Sequence, residues 1–162
     1  MKPMLIITGK SGSGKNYIPE LFNLKYTPGN TTRDPRPSDP KELFYHKKVV
    51  FNIQPQERMC AITFFDGNFY WTYKDHFYNK TYDFLIAAPD AAISLYEDKL
   101  QEKITRPMTF IYLKASLFKR IKNMRRRKDP WPKIIKRVIH DAKAYRGYEI
   151  FVKKINGSIV EV

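Results

Sequence analysis

The sequence has 162 residues, 43% of them apolar and 15% aromatic, which suits one folded domain with a real core and excludes a disordered chain. Thirty Lys and Arg against sixteen Asp and Glu give a net charge of +14, which favours polyanionic partners (nucleotides, nucleic acid or an anionic surface) without choosing among them. A single cysteine, Cys60, excludes an intramolecular disulfide, and one Cys with three scattered His excludes a zinc site of ordinary spacing.

In chain order, Met4 to Thr8 is a short apolar run closed by glycines, which predicts a buried parallel strand. It is too brief for a signal-peptide core, and no later stretch approaches a membrane span, so a soluble, cytoplasmic protein is expected, as monomer or homodimer. Tyr17, Ile18, Leu21 and Phe22 follow at helical spacing, with Pro19 tolerated near the first turn. Residues 27–41 are a polar loop stiffened by Pro28, Pro35, Pro37 and Pro40. Aromatic and β-branched residues then dominate to Tyr73, with strands expected over 48–51 and 61–65 and a hairpin turn at Asp66-Gly67-Asn68. This block predicts a small antiparallel sheet inserted into the main fold. Tyr82 to Ala88 and Met108 to Leu113 read as further core strands, with a helix from Ala91 to Leu100 between them. Leu117, Phe118, Ile121 and Met124 line one helix, and Ile134, Ile135, Val138, Ile139, Ala142 and Tyr145 another. Ile150 to Val152 and Ser158 to Val162 are expected as closing strands or a hairpin. Strands alternating with helices mean an α/β fold with crossover helices.

The first strand runs into Gly9-Lys10-Ser11-Gly12-Ser13-Gly14-Lys15-Asn16 and then a helix. Glycine, four residues, Gly-Lys and then Ser or Thr, in strand–loop–helix context, is the P-loop pattern, which this segment meets at every position but the last. Its glycines let backbone N–H groups turn inward on phosphate, the helix adds its positive end, and Lys15 reaches the β- and γ-phosphates. Gly9, Ser11, Gly12, Ser13, Gly14, Lys15 and Asn16 are the expected ATP phosphate-binding residues. Asn16 stands where a hydroxyl normally meets Mg²⁺; its amide oxygen can face the metal directly or through water, as a weaker ligand.

A second pattern, Asn30-Thr31-Thr32-Arg33-Asp34-Pro35-Arg36-Pro37, puts two arginines three apart on a stiff loop, able to converge on one phosphate. Thr-Thr-Arg-x-Pro-Arg shortly after a P-loop resembles the acceptor-phosphate motif of guanylate kinases, and Gly67-Asn68-Phe69-Tyr70 is similar to that family's Gly-Asn-x-Tyr segment. The resemblance runs collinearly from Met4 to about Tyr145. It implies a P-loop NTPase-type parallel sheet flanked by helices, with an inserted acceptor-binding sub-domain and a helical lid. Its parts would be a core over 1–28, 80–118 and 138–162, an insert over 29–79, and a lid over about 119–137. It implies ATP and Mg²⁺ as donor and cofactor, a nucleoside monophosphate as acceptor, and γ-phosphoryl transfer to GMP, dGMP or a relative. Arg33, Arg36, Tyr45 and Tyr70 would hold the acceptor phosphate, with Thr72 near the base. Two departures bear on base choice: the family's guanine-reading Glu falls on Ala61, and its strand-end Asp residues fall in Ile86-Ala87-Ala88, with Asp90 following. Either Thr63 or Thr72 substitutes as the reader, or the enzyme accepts other monophosphates, deoxy forms included. Asp90 faces the acceptor or its magnesium-bound water, or else caps the helix near Ala91, the simpler role.

Between Lys114 and Arg137 stand eleven Lys or Arg and one acid, Asp129. The resemblance implies a lid here that excludes water and gives arginines to the transferring phosphoryl group: Arg125 or Arg126 with Arg137, with Arg120 a possible third. Arg127 and Lys128 read as surface charges. Lys15, Arg125, Arg126 and Arg137 are thus the expected catalytic residues. Two other functions compete: a catalytically weak guanylate-kinase-like module that binds nucleotide or a phosphorylated partner, and a nucleic-acid-binding protein. The second leaves the P-loop and the arginine motif unexplained.

Overall fold

The computed structural model describes residues 2–35, 41, 43–47, 56–79 and 81–162. Arg36 and the strand expected over 48–51 lie outside them.

Strand β1 (Met4–Gly9) is almost wholly buried, as its unbroken apolar run requires of a strand covered on both faces. It pairs in parallel with β6 (Phe84–Ile86) on one side and β7 (Met108–Lys114) on the other. β8 (Ser158–Glu161) adds in parallel to β7, giving the order β6-β1-β7-β8. A parallel bridge from Tyr26 to Phe84 extends the β6 edge. Of the closing strands or hairpin expected, the strand from Ser158 is present as β8, while the hairpin and the strand over 150–152 are not. Tyr148 and Val152 are both buried at a four-residue spacing, so residues 148–154 form a helix, and a strand laid parallel to its neighbour needs such a crossover.

The helices follow their caps. α1 (Tyr17–Leu21) is short and α2 (Asp75–Tyr78) a single turn. α3 (Pro89–Leu100) starts on a proline, where the missing N–H costs nothing, and buries Ala91, Ala92 and Leu95. α4 (Leu117–Arg126) is capped by Ser116, whose hydroxyl accepts from the Lys119 N–H at 3.3 Å. α5 (Trp131–Ala144) begins within Pro130-Trp131-Pro132, with Pro130 as its N-cap and Pro132 in its first turn, and α6 (Tyr148–Lys154) starts after Gly147 at φ 74°. No helix among the described residues is long and apolar enough to cross a membrane.

The chain between β1 and β6 builds a second sheet, ordered β3-β2-β5-β4, from β2 (Gly29–Thr31), β3 (Leu43–Tyr45), β4 (Met59–Phe65) and β5 (Asn68–Tyr73). Its β2–β3 pair is parallel, so this sheet is mixed rather than antiparallel as expected; the long connection after β2 returns the chain in the same direction. β4 and β5 meet in a two-residue turn with Asp66 at φ 51° and Gly67 at φ 76°, the positive pair that matches strand twist. β4 carries a bulge at Cys60–Thr63, where Ala61 takes φ 51°. The bulge turns Cys60 and Ala61 into the main core against α3, which also holds Ile6, Phe77, Leu95, Phe110 and Val152.

Arg106 is fully buried at the seam between the sheets. Its guanidinium donates to the carbonyls of Lys2, Phe77, Asn79 and Tyr82 at 2.9–3.2 Å, so that four backbone acceptors disperse the charge.

Candidate functional site

β1 delivers the glycine loop to the end of the main sheet. Gly12 sits at φ 81°, and a Cβ there would come within 2.4 Å of the Arg120 carbonyl oxygen, so only glycine lets α4 pack this close. Gly14, at φ 89°, opens into free space. Two helices brace the loop from behind. From α4, Arg120 Nε donates to the Ser11 carbonyl at 3.0 Å and Asn123 Nδ2 to the Gly12 carbonyl at 2.8 Å. From α5, Asp141 accepts the Ser11 N–H at 2.8 Å, and the Tyr145 hydroxyl just beyond its end accepts the Gly9 N–H at 3.0 Å. Arg120 and Asp141 form an ion pair at 2.5 Å, both buried. Among the described residues nothing bonds the N–H groups of Gly14, Lys15 and Asn16, and the Ser13 hydroxyl is buried without a partner. Such a row of unsatisfied donors is an anion seat.

Lys15 lies within this seat. Burial pushes its ammonium down to about 8; Asp141 opposes the shift, and Arg127, Arg137 and Arg120 reinforce it. The lysine borders two cavities. One, of about 950 Å³, is an open groove outside the loop, bordered by Gly14, Asn16, Leu21, Lys119, Arg126 and Arg127. The other, of about 430 Å³, lies between the loop and the second sheet, and Thr63, Phe65, Tyr70, Asp90 and His140 face it along with Ser11 and Asp141. α5 closes its rim: His140 meets the Phe65 ring edge-on at 4.3 Å, and Lys136 pairs with Asp66 at the hairpin tip.

The chain has the fold of a known enzyme family. A crystal structure of guanylate kinase from Anaplasma phagocytophilum superposes with a TM-score of 0.61 over 99% of this chain and 76% of that one, at 12% sequence identity. No family model matches the sequence, and no curated protein matches it in sequence. At this identity the likeness is one of fold.

The expected site residues fall into three groups. Gly9, Ser11, Gly12, Ser13, Gly14, Lys15 and Asn16 form one loop, with Asn16 exposed at the mouth of the groove. Tyr70 and Asp90 meet across the smaller cavity, where the Thr63 hydroxyl donates to Asp90 at 2.6 Å. Asp90 lies in the first turn of α3, whose N-cap is Ala88, so the capping role goes unfilled. Arg33 lies over the Tyr45 ring at 5.8 Å and donates to the Asp34 carbonyl at 2.8 Å; neither residue lines the smaller cavity. Thr72 is buried with its hydroxyl on the Pro28 carbonyl at 2.6 Å, so Thr63 is the threonine that faces the cavity.

Among the basic residues, Arg126 borders the groove, whereas Arg125 stacks on Trp131 at 5.2 Å. Arg137 pairs with Asp129 at 2.9 Å. Arg127, read as a surface charge, borders the groove and pairs with Asp129 at 3.0 Å. Arg120, read as a possible lid arginine, is spent on bracing the loop. The Asp141 contact was missed. Its available signal was being the one acid between Asp129 and Glu149 in a basic helix, on a face with Ile134 and Val138.

The loop fits a polyphosphate: its free N–H groups, the unpartnered Ser13 hydroxyl and the space beside Gly14 all suit phosphate oxygens. No group of three or more His, Cys, Asp or Glu that could hold a metal occurs among the described residues, so a magnesium ion here would rely on phosphate oxygens plus Asn16.

Proposed function

We propose that the protein is an ATP-dependent nucleoside monophosphate kinase of the guanylate kinase type, which passes the γ-phosphoryl group of ATP to GMP, dGMP or a related monophosphate. The observation that carries this reading is the position of Lys15 at the junction of two cavities. ATP phosphates would enter from the groove and meet the free loop N–H groups, Arg126 and Arg127. The monophosphate would occupy the smaller cavity, with Tyr70 directed at its phosphate and the Thr63–Asp90 pair at its base. An acceptor phosphate oxygen then attacks the γ-phosphorus in line, ADP leaves, and no covalent enzyme intermediate is needed.

Each residue has a definable task. Lys15 follows the charge that spreads over the transferring group, and its reluctance to stay charged when buried disappears once phosphate is beside it. Arg137, held by Asp129 near Lys15, adds positive potential on the lid side. Magnesium, when bound, supplies Lewis-acid stabilisation of the phosphate oxygens. α5 bridges the loop and the hairpin tip, and so shields the cavity from water. Ala61 is turned into the core, so no carboxylate there reads guanine, and acceptor choice falls to Thr63 and Asp90.

One experiment decides. The full chain, incubated with Mg-ATP and each nucleoside monophosphate in turn, is expected to yield ADP and a nucleoside diphosphate with at least one acceptor. ATP binding without diphosphate from any of them would instead support the non-catalytic module, a reading favoured by the carboxylate-free end of β6 at Ile86, Ala87 and Ala88.

A further inference from the structure

A negatively charged side chain has no obvious place in a loop built to receive phosphate, yet Asp141 is there. Its side chain is buried on α5, and one oxygen accepts the Ser11 N–H at 2.8 Å. The other lies 3.4 Å from the Ser11 hydroxyl. Arg120 Nη2 donates at 2.5 Å to the same oxygen that takes the Ser11 N–H, and Lys15 lies within the field of the carboxylate. Carboxylate and phosphate oxygens make the same short, charge-assisted bond to a backbone N–H.

Resting on the kinase reading above, we propose that Asp141 is a resident anion of the glycine loop: it stands in for a phosphate oxygen on the Ser11 N–H and gives that donor up when a terminal phosphoryl group enters. Without the carboxylate, two cations, Arg120 and Lys15, would sit in a buried loop with no counter-charge, a costly arrangement. With it, the loop stays in its open-seat shape when no nucleotide is present, so little ordering remains to be done on binding. The same carboxylate repels the incoming polyphosphate, so affinity is traded for a preformed loop. Because Arg120 keeps its hold on Asp141, the exchange moves only the two Ser11 contacts, N–H and hydroxyl.

The charge of Asp141 opposes an incoming anion, which gives the first arm of the test, and the handover of the Ser11 N–H gives the second. Asp141→Asn keeps an oxygen able to accept the Ser11 N–H but removes the charge. Calorimetry with inorganic tripolyphosphate is expected to show binding about tenfold tighter than for the natural protein, as befits loss of one like charge from a partly screened anion site. Equal or weaker binding by the folded variant overturns the proposal. A measurement on the natural chain removes dependence on the variant's folding. In a tripolyphosphate titration followed by nuclear magnetic resonance, the Ser11 amide and the Asp141 carboxyl carbon are expected to shift together, in step with the Gly14 and Lys15 amides. Movement of Gly14 and Lys15 with Ser11 and Asp141 unmoved overturns the proposal while sparing the kinase reading. No movement at any loop amide overturns both.

Discussion

The two sides of the site, the glycine loop that borders both cavities and the wall facing it across the smaller one, are built on different plans. On the loop wall the binding groups are backbone N–H groups, and the side chains of Arg120, Asn123, Asp141 and Tyr145 are consumed in holding that backbone still. On the opposite wall the binding groups are side chains, Thr63 and Tyr70 from the second sheet and Asp90 from the first turn of α3, while Thr72 of that sheet is spent on an internal bond. A backbone site fixes the kind of ligand, since any polyphosphate satisfies a row of N–H groups. A side-chain site fixes which ligand, since one substitution changes its donors and acceptors. The first wall should therefore tolerate little and discriminate little, and the second the reverse.

The sharpest way to break that contrast is Lys15→Ala. Phosphoryl transfer is expected to fall about 10³-fold, the scale of losing a preorganised charge at the reacting group. Thermal stability should hold or rise, because a buried ammonium opposes folding. The sign is definite: the folded value, about 8, lies below the ordinary value, 10.5. The charged lysine thus destabilises the fold fully below pH 8, and the penalty fades between pH 8 and 10.5. The stability gained by the variant should shrink over that window in a melting series, and ATP binding by the natural protein should weaken as pH passes 8. Gly12→Ala comes next. It meets both a left-handed backbone and the Arg120 carbonyl, and should cost at least about 2 kcal/mol by chemical denaturation. Arg137→Ala should lower turnover about tenfold with a smaller loss of stability, since its partner Asp129 keeps Arg127; equal losses of folded protein and activity would contradict a role in transfer. The smallest effect tests the second wall. Thr72→Val should cost about 1 kcal/mol by removing the buried hydroxyl that contacts the Pro28 carbonyl and His76 and leave the acceptor KM unchanged, whereas Asp90→Asn should alter the order of acceptor preference with almost no change in melting temperature.

What could be read from the sequence follows the same division. β1 and the loop were legible because an apolar run, glycines and a lysine at fixed spacing encode backbone geometry locally. The hairpin at Asp66-Gly67 was legible for the same reason. The bracing contacts were not: Ser11 and Asp141 are 130 positions apart, and a lone acid on an amphipathic helix reads as a solvated charge until the fold brings the loop beneath it. Arg127 is the exposed charge it was expected to be, but its place at the groove was not legible, because four consecutive basic residues look alike in sequence while the helix end and the Asp129 contact assign each a different direction. At the chain's close the strand from Ser158 was legible, but Ile150 to Val152 was misread because Ile150 and Val152 alternate like a strand, whereas burial follows Tyr148 and Val152, one helical turn apart.

Arg106 carries a last consequence. Surface pairs such as Lys2–Asp83 and Arg58–Asp75 weaken as ionic strength rises. A guanidinium sealed from solvent and shared among four peptide carbonyls offers dissolved ions nothing to compete for. In concentrated brine the outer electrostatics of this very basic molecule would be quenched while the rivet joining its two sheets kept its grip.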